Sequence, residues 1–495
     1  MAENNTSYGN IFKTTFLFGF VQVFRAVMSI VKNKIAAVLI GAEGMGILGI
    51  FTSTIQMIQT GAGLGVNQSA VRDISEAKSA SNYDRFSRII SVTNKVILYT
   101  GLLGCLITLC LSYWLSDWTF GDKVHIIGYC VLALAVALNI MNESKQAILK
   151  GMRQLKALAY ASMLGSLAAL VTSVPLYYFF GKEGIVPEIL ISSIVAILVS
   201  EYYVKKIAYT KQPLTLTETL REAKPMVKMG VALMLMTLLQ TIAAFIINAY
   251  IRSEGGLEDV GYYAAGTAIL NSYFGIIITA LMTDYYPRIA AVNQNNEKLQ
   301  DELNKQSLVS IVLCCPMFIL FMTMLPFFIR LLYSESFLPA VDFVKWSIYY
   351  TLITVCSNQV DMILVAKFNS KVFLSLSVFF RILLVATCIA LYSSFGLSGL
   401  GLAYLIFGVA HLVVMSFTVY KLYKIRFTGL FIKVGLCVLL FATVSTAVQQ
   451  LMYGWIYYFV SVILLIVSCL FSYYISVKYL ELDFLGFIQN KLHKK

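Results

Sequence analysis

One arginine stands out because of where it falls in the sequence. Arg25 lies near the middle of an apolar run at 11–38, which is long enough for a helix that crosses a membrane. A cation at that depth costs at least about 2.5–3.5 kcal/mol on insertion scales, so it needs a partner or a cavity. Backbone carbonyls or a buried carboxylate would make Arg25 structural. The first two apolar runs hold no mid-membrane carboxylate, which favours the alternative, an anion site in a cavity.

Polar side chains accompany Arg25 on the same predicted helical face, and the next apolar run carries a second polar face. Such faces line a bundle interior or a water-filled cavity. With their counterparts later in the chain, the nearby Lys34 and the second deep cation Arg381, they supply the candidate substrate-binding residues. These are Arg25, Lys32, Lys34, Gln22, Gln56, Gln59, Asn67, Gln240, Asn248, Asn271 and Arg381.

Two carboxylates are candidates for ion coupling. Asp361 lies in an apolar run next to the one that holds Arg381, so either a buried Asp361–Arg381 pair or a functional site fits. Asp284 precedes Arg288 by four residues, and a surface ion pair at that spacing is the alternative to a proton site. His411 stands alone in its apolar run and is predicted to be structural.

The composition determines what must position these residues. The chain has 495 residues, of which 59% are hydrophobic and only 13% charged, against about 25% charged in ordinary soluble proteins. A soluble fold would leave too much apolar surface in water. The sequence therefore predicts an all-α polytopic membrane protein rather than a soluble enzyme or a disordered chain.

Apolar runs bounded by charge, glycine or proline predict about fourteen transmembrane helices. Their predicted spans are 11–38, 46–70, 88–113, 124–148, 157–180, 185–204, 228–251, 261–286, 307–332, 341–366, 371–395, 399–421, 430–451 and 455–477. The longest gaps, near 205–227 and 287–306, are predicted to be polar linkers without a soluble domain.

The excess of Lys and Arg, 38 against 25 Asp and Glu, is concentrated in alternate gaps. Cytoplasmic loops of membrane proteins carry such an excess, so both termini are predicted to be cytoplasmic, and the charge does not indicate a nucleic-acid partner. Trp114, Trp118, Trp346 and Trp455 fall at predicted outer ends, where indole rings favour the interface.

The chain contains an internal repeat at a separation of 215 residues. Residues 41–46 (GAEGMG) match 256–261 (GLEDVG), and Phe180-Gly181 matches Phe395-Gly396. The same separation carries Arg25 onto Gln240 and Gln56 onto Asn271. Each repeat holds six predicted helices, an even number, so the two halves run parallel and suit a transporter with its substrate between them.

The repeat predicts four regions. They are an N-lobe at 1–205, a cytoplasmic linker at 206–227, a C-lobe at 228–421, and two additional C-terminal helices with a tail at 422–495.

Several chemistries are not indicated by the sequence. The nine cysteines fall in apolar runs without metal-ligand spacing, three histidines cannot supply an HExxH site, and no GxxxxGK[ST] loop occurs. The sequence predicts no metal, no cofactor and no catalytic residues.

Short glycine-rich motifs give the chain a family resemblance. They are GAEGMG at 41–46, Gly63-Leu-Gly65 leading to Ala70-Val-Arg72, YPRIA at 286–290 and FGLSGLG at 395–401. With them the chain resembles the polysaccharide flippase family, the Wzx type of O-antigen translocase, over about residues 10–425. This family belongs to the multidrug/oligosaccharidyl-lipid/polysaccharide exporter superfamily.

The resemblance implies a V-shaped pair of six-helix lobes around a cationic cavity. It also implies a flippase of the bacterial inner membrane that moves undecaprenyl-pyrophosphate-linked oligosaccharides to the periplasmic leaflet for surface polysaccharides such as lipopolysaccharide O-antigen. The implied partners are that lipid-linked oligosaccharide, membrane lipids, H⁺ or Na⁺ as a coupling ion, and the polysaccharide polymerase machinery.

Three alternatives stay open. Two extra C-terminal helices resemble the lipid II flippase branch. A multidrug extruder would call for mid-membrane carboxylates in the first lobe, where this chain has Arg25. A membrane-embedded glycosyltransferase or polymerase would need catalytic carboxylates or a large outer loop.

Overall fold

The computed structural model describes residues 2–79, 83–207, 209–452 and 454–480, and the described residues form helices without any β-strand. Helices are expected because a chain crossing lipid must satisfy every backbone polar group internally. The helices are α1 Ala2–Ala62, α2 Val66–Ser79, α3 Tyr83–Phe120, α4 Ile126–Gly151, α5 Leu155–Phe180, α6 Ile185–Val204, α7 Leu216–Ala268, α8 Gly275–Ala291, α9 Asn296–Thr323, α10 Leu325–Leu332, α11 Ala340–Ala366, α12 Ser370–Tyr423, α13 Gly429–Leu451 and α14 Gly454–Leu480.

Ten helical segments in the described part of the chain are long and apolar enough to cross a membrane. Four of them have 43, 50, 56 and 53 residues, at least twice the roughly 20 residues that one crossing needs. Counting each of these four as two crossings gives the fourteen predicted from the apolar runs, and the predicted all-α polytopic fold is confirmed. Both predicted linkers are partly helical: α7 begins at Leu216 within 205–227, and α8 and α9 occupy most of 287–306.

Four glycines with positive φ interrupt or end the long helices. Gly41 and Gly256 have φ of 67° and 82°, while Gly181 and Gly396 have φ of 55° and 57°. Each pair is separated by 215 residues, so the repeat seen in the sequence recurs in the backbone. A residue with a Cβ rarely adopts this conformation, and this explains why glycine stands at all four positions.

Two further glycines bring α1 and α7 into backbone contact. A Cβ added at Gly46 would lie 1.9 Å from the carbonyl oxygen of Leu257, and one added at Gly261 would lie 2.0 Å from that of Ala42. Gly46 and Gly261 are equivalent in the repeat, as are Ala42 and Leu257. The contact is therefore reciprocal: each glycine packs against the same carbonyl of the other repeat.

The chain packs into two compact units. Unit 1 comprises Met1–Ala264 with Leu332–Ser336, and unit 2 comprises Ala265–Leu331 with Phe337–Lys495. Unit 1 thus contains α1 to α6 and most of α7. The predicted lobes at 1–205 and 228–421 were defined by the sequence repeat, whereas the two units are defined by packing. The division into these lobes therefore stays a prediction.

The segment before α7 lies extended along α3 in unit 1. Every fourth residue of α3 is hydrogen-bonded to every second residue of the segment. Thr210 N donates to Ser87 Oγ at 3.3 Å, and Gln212 N donates to Ser91 Oγ at 3.2 Å. Lys95 Nζ donates to the carbonyl of Leu214. Four helical residues rise about 6 Å and two extended residues about 6.6 Å, so the two spacings match. Arg88 Nε lies 2.9 Å from both carboxylate oxygens of Glu222 on α7, which anchors the end of this segment.

We predict that Gly46→Ala or Gly261→Ala will lower the amount of membrane-inserted protein several-fold. The added methyl group would collide with a backbone carbonyl that cannot rotate away. Gly165→Ala on α5 is the matched control, since its Cβ meets nothing within 4 Å and Ala is favoured over Gly in a helix interior by roughly 0.5–1 kcal/mol. Quantitative immunoblots of membranes provide the measurement. Equal amounts of all three variants would contradict the close contact.

Candidate functional site

The polar face of α1 around Arg25 is open. Gln22, Arg25 and Ser29 recur at helical spacing, and all three are exposed. Within the part of the chain that the structure describes, Arg25 makes no hydrogen bond or ion pair. The two partners that would make Arg25 structural, a backbone carbonyl or a buried carboxylate, are therefore not found among the described residues.

Further along α1, Lys32 is held by a buried carboxylate on α6. Its Nζ donates to Glu188 Oε1 at 2.8 Å. Ser192 Oγ donates to the same oxygen at 2.7 Å, and Tyr177 OH donates to Oε2 at 3.1 Å. Lys32 is 24% exposed and Glu188 only 1%. Part of the lysine side chain is therefore accessible, whereas its counter-ion is buried.

Lys34, also a predicted ligand of the anion, donates from Nζ to the carbonyl oxygen of Tyr333. That carbonyl belongs to the short segment Leu332–Ser336, which packs with unit 1.

Two of the predicted polar ligands converge on one carboxylate. Gln59 Nε2 and Asn67 Nδ2 each donate to Glu143 of α4, at 2.6 Å to Oε1 and 2.6 Å to Oε2. Glu143 is exposed. The cluster combines a carboxylate with two amide oxygens, and groups of this kind can accept hydrogen bonds from hydroxyls.

The other predicted polar ligands lie on accessible faces. Gln56 on α1 and Gln240 on α7 are exposed, and Asn248 on α7 is half-buried. In unit 2, Asn271 is exposed and lies in a π-helical turn, Ile269–Phe274. Such turns are rare and frequently occur at functional sites.

Unit 2 has a largely buried acidic side chain of its own. Asp361 Oδ2 on α11 lies 3.6 Å from His411 Nε2 on α12, and the imidazole packs against the rings of Phe380 and Phe407. Asp361 Oδ1 is buried with no hydrogen-bond partner among the described residues. The prediction that His411 is isolated is wrong, since α12 brings it back beside α11.

The predicted partner of Asp361, Arg381, is half-buried on α12 and forms no ion pair within the described residues. The side chain of Asp284 lies outside the described residues. Arg288, four residues later, donates from Nη1 to Glu302 Oε2 at 2.6 Å, so it has a carboxylate partner on α9.

Sequence reasoning missed three groups of this site. Glu188, Glu143 and His411 each pair with a residue that is far away in the chain. Glu188 alone carried a local signal, because it is the only charged residue in the apolar run 185–200. An isolated carboxylate in a membrane helix is expected to have a partner.

The geometry suits an anionic ligand that also carries hydroxyl groups. In unit 1, Arg25 and Lys32 lie two turns apart on α1, and both have exposed side-chain surface. Guanidinium binds phosphate oxygens in a bidentate manner, and the neighbouring amides can donate and accept. In unit 2, the Asp361–His411 pair is suited to hold a proton or a small cation.

Comparison with known proteins identifies the family of the chain. Residues 39–342, more than half of the chain, match the family described as "Polysaccharide biosynthesis protein". A protein of Shigella flexneri named "Putative O-antigen transporter" is 20% identical over 334 residues, which are 63% of this chain and 78% of that protein.

Two solved structures share the fold. The lipid II flippase MurJ in an inward closed conformation has a TM-score of 0.67 at 15% identity, covering 95% of this chain and 99% of that one. An inward-facing multidrug resistance transporter of the MATE family has a TM-score of 0.62 at 19% identity, covering 82% and 99%. These relatives are transporters and flippases rather than enzymes. The chain is a multi-pass membrane protein that belongs to the polysaccharide biosynthesis protein family, and it shares its fold with MurJ and a MATE transporter.

Proposed function

We propose that this protein is a flippase for undecaprenyl-pyrophosphate-linked oligosaccharide. It carries a surface polysaccharide repeat unit, such as that of O-antigen, from the cytoplasmic to the periplasmic leaflet of the bacterial inner membrane by alternating access. The observation that carries the proposal is Arg25, an exposed cation on a membrane-crossing helix without a partner among the described residues. A diphosphate supplies the anion that such a cation lacks.

The substrate's three parts match three features of the chain. The diphosphate suits the guanidinium of Arg25, with Lys32 and Lys34 nearby on the same helix. The sugars suit the amide groups of Gln22, Gln56, Gln240 and Asn248 in unit 1, and the cluster around Glu143. The polyprenyl tail needs no polar group and can stay in the lipid.

The membrane potential supports outward movement of this substrate. Each elementary charge that crosses 100 mV gains about 2.3 kcal/mol. Because the cytoplasm is negative, an outward-moving diphosphate gains that energy for each of its negative charges. The potential can therefore drive transport without ATP.

Lipid II is the second candidate substrate. The observation that favours it is the similarity to MurJ, which extends over 95% of this chain and so includes α13 and α14. Lipid II also carries a polyprenyl diphosphate, so the role of Arg25 would be the same. A multidrug substrate is disfavoured, because an organic cation calls for a carboxylate where this chain has Arg25.

We predict that Arg25→Ala will abolish glycan export while the amount of membrane-inserted protein stays nearly unchanged. Arg25→Lys should be partly active, because a point charge loses the bidentate geometry. The measurement is surface glycan per molecule of inserted protein in a strain that lacks the wild-type gene. Wild-type export from a well-inserted Arg25→Ala variant would refute the role of Arg25. If Arg25 were structural, abundance and export would fall together.

The proposed direction of transport requires a fixed orientation. We propose that both termini are cytoplasmic, as the distribution of Lys and Arg indicates. A reporter fused after Trp118, in the last turn of α3, should be periplasmic. A reporter fused after Arg221, at the start of α7, should be cytoplasmic. The opposite pattern would invert the topology and with it the direction of flipping.

We propose further that any coupled H⁺ or Na⁺ binds at Asp361 beside His411. The supporting observation is the buried carboxylate oxygen without a hydrogen-bond partner among the described residues. Asp361→Asn should then remove the dependence of transport on a pH or Na⁺ gradient and leave transport driven by an electrical potential. Transport by the purified variant in liposomes, measured under each gradient in turn, tests this. A variant that keeps its full ion dependence would exclude Asp361.

A further inference from the structure

Glu188 has an unusual setting for an ion-paired carboxylate. Among the ion pairs between described residues it is the most buried acid, at 1% exposure. The other carboxylates paired in unit 1, such as Glu43, Glu76 and Glu222, are partly exposed. Surface pairs contribute little, whereas a buried charge must be compensated in place. Glu188 therefore constrains Lys32 more strongly than those pairs constrain their cations.

The compensation of Glu188 does not depend on Lys32 alone. Tyr177 of α5 and Ser192, one turn further along α6, also donate to it, at 3.1 and 2.7 Å. If the ammonium leaves, both carboxylate oxygens keep a hydroxyl donor. A carboxylate with Lys32 as its sole donor would be left uncompensated, and that loss would hold the pair together. The two hydroxyls thus lower the cost of releasing the ammonium from this buried carboxylate.

We propose that the Lys32–Glu188 pair is a latch between α1 and α6 that a diphosphate opens. Without ligand, Glu188 neutralises Lys32 and ties α1 to α6. A diphosphate next to Arg25 competes for the ammonium, which is already 24% exposed. When Lys32 turns to the ligand, the tie between α1 and α6 is released. The proposal rests on the proposed function, and it adds that ligand binding and helix release are coupled.

In this proposal Glu188 and the substrate compete for Lys32. Removing the charge of Glu188 should therefore strengthen diphosphate binding. Glu188→Gln keeps the side-chain shape and a carbonyl oxygen for Tyr177 or Ser192, but it removes the negative charge. Affinity for a diphosphate should rise about tenfold, within the usual range of coupling between two sites. Export per molecule should fall, because the variant lacks the ion pair that must re-form to release the product.

The test uses the purified full-length protein and farnesyl diphosphate, with inorganic diphosphate as a second probe for the head group alone. Glu188→Gln should bind more tightly than wild type and Lys32→Gln more weakly. The double variant should bind as Lys32→Gln does, because the charge of Glu188 acts through Lys32. Glu222→Gln, which removes the charge of the exposed partner of Arg88, is the matched control and should leave affinity unchanged.

A second variant keeps the test valid if Glu188→Gln inserts poorly. Ser192→Ala retains the ion pair but removes one of the two remaining donors, so release becomes harder and diphosphate affinity should fall. Unchanged or weaker affinity in a folded Glu188→Gln variant would overturn the latch, as would unchanged affinity in Ser192→Ala. Lack of binding to the wild type, or full binding to Arg25→Ala, would instead contradict the proposed function.

Discussion

A charged side chain in a membrane-crossing helix must find a partner or water. The contacts of the charged residues in this chain follow from that requirement. Lys32 has a buried carboxylate, and Asp361 has an imidazole nearby. Arg25 and Arg381 form no ion pair within the described residues, and of the two only the side chain of Arg25 is exposed. Arg25 is informative, because a cation that the described part of the protein does not neutralise is available to an anion that arrives from outside.

The same requirement acts on the backbone. Every peptide group in lipid must be bonded within its own helix, so the long helices change course only where the break costs least. Glycines provide those breaks at positions 41, 181, 256 and 396, and a second set at 46 and 261 allows two helices to touch through their backbones. In both sets, the equivalent glycines of the two repeats are separated by 215 residues. A duplication of one helical unit thus accounts for features that would otherwise look unrelated.

The fold was largely predictable from the sequence, while the candidate site was predictable only in part. Apolar runs are local signals, and the glycine motifs repeat at a fixed separation, so the number of crossings and the repeat could be found. The pairing of Lys32 with Glu188 joins residues 156 apart, and the approach of His411 to Asp361 depends on how α12 packs on α11. Such contacts are set by tertiary structure. The segment along α3 was predicted only as a polar linker, because two serines and a lysine spaced four residues apart, Ser87, Ser91 and Lys95, are not a recognisable signal until their partner is known.

The function proposed for this protein is movement of a diphosphate-linked glycan across the bilayer without ATP. Purified protein in liposomes with a fluorescent polyprenyl-diphosphate oligosaccharide tests it most directly, with translocation followed as the label becomes inaccessible to a quencher outside. We predict translocation well above that of protein-free liposomes, faster when the potential favours movement of the anion. Translocation no faster than in empty liposomes, or equally fast for a lipid-linked sugar without phosphate, would contradict the claim.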